Sequence, residues 1–440
     1  MRIKGSLIHF FLILLVTASA GFAQKALFRT SSQKRLVETA RDHRWSINFH
    51  KSKPDTIHIM AFMVEFEPDT LYLTTGNGRF GMRDGGEKER DELRWYSSSN
   101  DTVYKFDDHP HDSLYFVNQL ETVAKYYRKV SRGKLILKYS LYSTDPEGRP
   151  YTVPQSLPKY SPGGKKKGET LDQYYERKST GLLRFSRDAI LEVSKTPEKS
   201  PFSSLSFDPS DSTIRDESGL KTVFLVFHAG ATYFTDARVD SEADMYDVFI
   251  TSDYFKYYRD SLELAQNGIV VQGKNSLFID ELMICSETAN QDSINCGIQG
   301  ILVSQIARQM GIPDLWASSG SGVGGFCIMD IGADFNGNGF IPPYPSAWVR
   351  AFMGWDEPKV APVGVARSYS VKALSSVLDK VASGQQSNDT TILMVPINNH
   401  EYYLIENRQR NLSGNKDLFK YDTTDHRRNP IAAYPFHVNL

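Results

Sequence analysis

Ser304 and Arg308 stand four residues apart in the segment Gly297 to Met310, GIQGILVSQIARQM, and Asp314 follows after Gly311 and Pro313. Apolar residues at 298, 301, 302, 306 and 310 predict an amphipathic helix, stopped by Gly311 and Pro313. One turn of that helix sets positions 304 and 308 on the same face. Two ligands one turn apart, a turn at glycine and a third ligand beyond it are the layout of a zinc site. Zinc takes His, Cys, Asp or Glu as donors. Ser304 is a poor ligand, and the guanidinium of Arg308 is permanently cationic with no lone pair to give. The residues alone therefore describe a metal-site layout without metal-site chemistry, as an ordinary amphipathic core helix would.

Other constellations carry less. His109-Pro110-His111-Asp112 puts two imidazoles on one side of an extended segment, but Asp112 also reads as a helix cap. His228 ends a buried strand, where a structural hydrogen bond is favoured over ligation. Asp334 to Gly339, DFNGNG, begins like a calcium loop, yet Pro345 stands where the twelfth-position Glu belongs, so calcium is a candidate without its bidentate ligand. Ser304 as a nucleophile would need a basic partner, and Arg308 cannot take its proton. Lys165 to Lys167 read as a solvated loop. The three cysteines, Cys285, Cys296 and Cys327, form no CxxC pair. They allow one disulfide; Cys285 with Cys296 closes the shortest loop, and the pairing stays open.

The elements that must hold these residues follow from apolar spacing. Thr56 to Phe66 and Leu135 to Leu141 read as strands, and Thr222 to Phe227 as a buried one. His111 to Tyr127 is helical, with Asp112 or Ser113 as N-cap, and Leu171 to Val193 is largely helical. Thr74 to Phe80 carries a Gly-Asn-Gly turn. Residues 144 to 169 and 194 to 219 are expected to be loops, and Ser318 to Gly339 a glycine-rich loop. Pro345 to Trp355 reads as a short helix. Beyond Pro358 the pattern is β-rich, as in Thr391 to Ile397 and Glu401 to Ile405.

The 440 residues hold 51 Lys plus Arg against 52 Asp plus Glu, a balance that argues against nucleic acid as a partner. With 40% apolar and 12% aromatic residues the chain can build a large core, which excludes general disorder. Arg2 and Lys4, the apolar run Leu7 to Ala18 and the small residues around Gly21-Phe22-Ala23 read as a signal peptide over 1–23, with Gln24 first in the mature chain. No Cys follows to carry a lipid, and no other run is long enough to span a membrane. The destination implied is periplasmic or extracellular.

From His58 to Asn407 the chain resembles the M6 (immune inhibitor A-like) metallopeptidases. The family's helix reads HExxHxLGLPDLY, and the matching stretch is SQIARQMGIPDLW, Ser304 to Trp316. The flanks match in order: SETANQDSINCGIQGIL (286–302), GFCIMDIG (325–332) and PSAWVRAFMGWDEP (345–358). So do VEFEPDTLYLTTGNGRF (64–80), the PHD at 110–112, VFHAG (226–230) and YYLIENRQR (402–410). The resemblance implies an α+β, zincin-like domain with a mixed sheet and an active-site helix. With the Ser-, Pro- and Asp-rich stretch 194–219 as a subdomain boundary and the shift of pattern after Pro358, the expected division is an N-terminal part of that domain (24–214), a core with the degenerate site (215–358) and a β-rich C-terminal region (359–440). The family usually continues with more β structure past the YYLIENRQR-type strand, which implies a reduced terminal region or a fragment.

By that resemblance Ser304 and Arg308 stand at the two histidine ligand positions and Gln305 at the general-base glutamate. Gly311 keeps the turn, Asp314 the third ligand and Met329 the methionine that floors the site. Zinc in such a site lowers the pKa of its water from about 15.7 to about 7, and a carboxylate then takes the proton. Gln305 cannot accept it, and Arg308 puts a cation where the metal would sit. The expectation is a secreted pseudopeptidase that needs no cofactor and keeps a cleft for a peptide or protein. The competing readings are a zinc endopeptidase or other hydrolase using non-standard residues, and a structural surface module. Arg308 is expected to pair with Asp314, in place of zinc, or else to be solvated.

Overall fold

The computed structural model describes residues 55–69, 73–80, 111–145, 147–195, 200–264, 266–291, 296–317, 320–335, 339–385, 387–398 and 401–409. The expected signal peptide, His109, Pro110, the side chains of the DFNGN part (334–338) of the calcium-like loop and the end of the chain from 410 lie outside them.

The elements, in chain order, are β1 (Asp55–Glu65), α1 (Ser113–Val130), β2 (Leu135–Tyr142), β3 (Tyr151–Thr152), α2 (Leu157–Tyr160) and α3 (Leu171–Ser194). There follow β4 (Ser206–Asp208), β5 (Thr213–Arg215), β6 (Lys221–Ala231), β7 (Val248–Ile250), α4 (Ser252–Tyr257), β8 (Ile269–Gln272), β9 (Ser276–Ile279) and β10 (Leu282–Thr288). The rest are α5 (Gln299–Gln309), β11 (Trp316–Ala317), β12 (Gly320–Ser321), α6 (Gly332–Phe335), α7 (Ala347–Phe352), β13 (Lys359–Val360), α8 (Leu374–Ala382), β14 (Ile392–Pro396) and β15 (Tyr402–Glu406).

The fold is mixed α+β. Its spine is the sheet β2-β1-β6-β10-β7, in which β2, β1, β6 and β10 run parallel and β7 closes the edge antiparallel to β10. A parallel sheet needs cover on both faces, which is why β1 and β6 read as near-continuous apolar runs. On one face Ile57, Ile59 and Ala61 pack with Phe116 and Leu120 of α1 and Leu302, Val303 and Ile306 of α5. On the other, Met60, Phe62 and Val64 pack with Leu182, Phe185 and Ile190 of α3. Because β1 pairs with β6, the segments on either side of residue 215 contribute to one sheet.

The caps explain where the helices begin. Asp112 accepts from the Tyr115 N–H at the start of α1, and Thr170 and Gln173 form a reciprocal capping box at α3. Several expectations need correction. The loop expected over 144–169 contains β3 and α2, and that over 194–219 contains β4, β5 and a 3-10 turn at Pro201–Ser204. These pieces are too short to show periodicity and are held by pairing, β3 onto the end of β1 and β5 onto β6. The glycine-rich loop likewise contains β12, a 3-10 turn at Gly324–Phe326 and α6. The C-terminal region has its three-stranded sheet β13-β14-β15, but also the helix α8, whose apolar residues at 374, 377, 378 and 381 follow helical spacing. Cys285, Cys296 and Cys327 are not joined by a disulfide. Cys285 and Cys327 are both buried in the core beneath α5, packed among apolar side chains. Among the described residues no helix is long and apolar enough to cross a membrane.

Candidate functional site

The C-terminal end of α5 builds the site. Gly311 takes a left-handed φ of 81°, its N–H bonds to the Arg308 carbonyl at 2.9 Å, and the Ile312 N–H bonds to the Ala307 carbonyl at 3.0 Å. This pair of bonds is a Schellman closure, and the positive φ is why glycine stands there. The reversal returns Asp314 to the helix face it has just left. Arg308 donates from Nε and Nη2 to Asp314 Oδ1, at 3.1 and 2.9 Å. Its Nη1 donates to Ser304 Oγ at 3.1 Å, and Ser304 Oγ donates in turn to the Ile301 carbonyl at 2.8 Å.

Three of the expected site residues therefore meet through one guanidinium. The Arg308 and Asp314 side chains are 18% and 12% exposed, whereas Ser304 and Gln305 are buried. Gln305, at the position of a general base, keeps Oε1 without a hydrogen-bond partner among the described residues. Met329 is buried in the core beneath α5, and its carbonyl accepts from the Leu315 N–H at 2.8 Å, which anchors the chain just past Asp314. Burial pushes the neighbouring Tyr127 phenol well above its ordinary value, and the charge of Arg308 draws it partly back.

These donors do not suit zinc. A cation fills the space between the two positions where ligands would converge, and only Asp314 offers a metal-binding oxygen. Among the described residues no group of three or more His, Cys, Asp or Glu is placed to hold a metal ion.

The other candidate residues lie elsewhere. His111 is buried, with Nδ1 2.9 Å from Glu287 Oε1 and its ring stacked on Tyr115 at 4.2 Å. Glu287 Oε2 accepts the Gly230 N–H at 3.0 Å, so the pair ties the start of α1 to the ends of β6 and β10. His228 Nδ1 bonds the Ala229 carbonyl at 3.0 Å between the rings of Phe66 and Phe185, and burial draws its pKa down to about 4. Lys165 to Lys167 are exposed.

Two acids went unread in the sequence. Glu287 showed itself only as a lone acid in the apolar run LMICSET. Asp330 is buried, and its Oδ2 accepts from Ser321 Oγ and from the N–H groups of Gly322, Val323 and Gly324 at 2.7–3.1 Å. It organises the loop that exposes Val323 and Phe326. An acid beside closely spaced glycines was the available signal. Compared with known proteins, the chain matches no family model and no curated protein.

Proposed function

We propose that this chain is a secreted, M6-like pseudopeptidase: a zincin-type frame whose reactive centre has been replaced by an ion pair. The observation that carries the reading is the Arg308 guanidinium joining Ser304 Oγ to Asp314 Oδ1. A hydrolytic zinc site needs ligands with lone pairs and an open position for water. Here the corresponding positions hold a cation, a hydroxyl already bonded to Ile301 and an amide that cannot act as a base. The mixed sheet with α5 against one face, the Schellman turn and Met329 behind Asp314 are consistent with the frame.

A peptide or protein partner would meet the rim of this site, because Ser304 and Gln305 are closed to solvent. Arg308 and Asp314 reach the surface, and Phe326, 66% exposed, offers an apolar anchor on the neighbouring loop. The burial of Ser304 and Gln305 also favours a second reading, a structural module that binds nothing in the old cleft.

The test is chemical. The purified chain is expected to carry no stoichiometric zinc and to leave casein uncut with or without EDTA. The triple substitution Ser304→His, Gln305→Glu and Arg308→His is expected to bind zinc. Zinc-dependent, EDTA-sensitive cleavage by the unaltered chain would refute the reading. Peptide-library capture that survives in the unaltered chain and is lost in Phe326→Ala supports the binding role; no capture by either supports the structural one.

A further inference from the structure

On the sheet face away from α5, three side chains far apart in sequence form a relay. His58 lies on β1, Ser140 on β2 and Asp216 in the turn between β5 and β6. Nδ1 of His58 is 2.9 Å from Asp216 Oδ2, and Nε2 is 2.9 Å from Ser140 Oγ. In the neutral imidazole a carboxylate, which only accepts, places the proton on Nδ1 and leaves Nε2 to accept the Ser140 hydroxyl proton. This is the order nucleophile, base, orienting acid that activates a serine for acyl transfer.

Each member is held by ordinary fold features. β1 and β2 are parallel, with His58 opposite Lys138 and Met60 opposite Ser140, so His58 and Ser140 point to the same face one step apart. Asp216 is fixed from behind: its Oδ1 accepts the N–H groups of Ser218 and Leu220 at 2.8 and 2.9 Å, while its own N–H bonds the Leu220 carbonyl at 3.0 Å. One oxygen closes the turn, and the other is left aimed at the imidazole. The site is also reachable. β2 ends the sheet order, Ser140 is half-buried, and the His58 and Asp216 side chains are each 14% exposed. Lys138 is exposed on the same face of β2 as Ser140, two residues away.

We propose that Ser140, His58 and Asp216 form a metal-independent acyl-transfer site for small carboxylic esters. Esters are the substrate class because an open sheet edge grips a leaving group weakly, and an ester carbonyl demands less stabilisation than an amide. Ser140 Oγ adds to the carbonyl carbon while its proton passes to His58 Nε2. The ester C–O bond then breaks, and that proton leaves with the alkoxide as the alcohol. Water next gives a proton to Nε2 and its oxygen to the acyl carbon; the Ser140 ester bond breaks, the carboxylic acid departs and Ser140 regains its proton from His58. The proposal is independent of the reading of α5, which lies on the opposite face.

A fluorophosphonate probe tests it, applied to the full chain in EDTA with the adduct mapped by mass spectrometry. One adduct on Ser140 is expected, absent in Ser140→Ala. His58→Gln is expected to slow labelling by about 100-fold or more, the usual scale of general-base catalysis. Asp216→Asn keeps the turn acceptor and is expected to slow labelling while leaving the circular dichroism spectrum unchanged. A folded chain that takes no label at Ser140, or that labels equally fast in His58→Gln, overturns the proposal and leaves the relay a structural hydrogen-bond chain.

Discussion

Arg308 sets two of its nitrogens on a single oxygen of Asp314, Nε at 3.1 Å and Nη2 at 2.9 Å, across the glycine turn that ends α5. Both side chains are mostly but not wholly buried, so the pair is screened less than a surface ion pair. Bonds to charged groups of this kind are worth about 1.5–3 kcal/mol, and loss of one partner leaves the other under-satisfied. Arg308→Ala and Asp314→Ala should each lower stability by about that amount, and the double variant by less than the sum. A urea double-mutant cycle measures this. Additive effects would mean that the two residues do not support each other.

Arg350 is a deeper case. Its side chain is fully buried on α7, where Nε bonds Asp356 at 3.0 Å and Nη1 bonds Glu406 of β15 at 2.9 Å and the Pro345 carbonyl at 2.6 Å. Asp356 also accepts from Arg132 and Thr391, so one buried network joins the turn after α1, α7 and the C-terminal sheet. Removing one partner of a buried ion pair typically costs about 3–5 kcal/mol. Arg350→Met should fall at the lower end, because Arg132 still faces Asp356 and Arg408 still faces Glu406. Chemical denaturation should show a loss of about 3 kcal/mol; a loss below about 1 kcal/mol, the scale of a surface pair, contradicts the network.

His228 makes stability depend on pH. Burial holds its pKa near 4, below the ordinary 6.5. Between those values the unfolded chain binds a proton that the folded chain does not. Stability from this group is therefore complete above pH 6.5 and is lost as pH falls toward 4, by roughly 3 kcal/mol at 1.36 kcal/mol per pKa unit. His228→Phe, which fits between Phe66 and Phe185, should flatten that part of the curve. Urea midpoints from pH 7 to pH 4 decide it: parallel slopes in both proteins would assign the acid sensitivity to other groups.

What could be read in advance was whatever has a local signature. The cap at Asp112, the apolar runs of β1 and β6 and the glycine that ends α5 are each set by residues within one or two turns. Even the Arg308–Asp314 pair belongs to this class, since only six residues separate the partners. The relay His58–Ser140–Asp216 does not. It depends on β1 and β2 lying in one register and on a turn that arrives 158 residues after the histidine. β10 was missed although it is wholly buried, because Ser286, Glu287 and Thr288 break its apolar run. Their polarity is answered by non-local partners, among them the Asp247 carboxylate for the Ser286 N–H and His111 for Glu287. The helix α8 was legible by its spacing, but it sits among short strands that gave the region its β character.

Gly300 shows how a close approach, rather than a turn, can require glycine. It lies inside α5, where glycine costs about 1 kcal/mol relative to alanine, so helix propensity alone would favour alanine. The first turn of α5 packs against α6, and a methyl at Gly300 would overlap the Ala333 carbonyl oxygen, a backbone atom that cannot swing aside as a side chain could. Gly300→Ala should therefore destabilise the protein despite its better propensity, by about 1–3 kcal/mol, the usual cost of overpacking. The shift should also reach the loop, because α6 follows directly after Asp330, which gathers the N–H groups of residues 322–324. Hydrogen exchange is expected to show faster exchange at those three amides along with the loss of stability. A stabilised Gly300→Ala variant, the result that propensity predicts, would show that the helix and α6 can part without penalty.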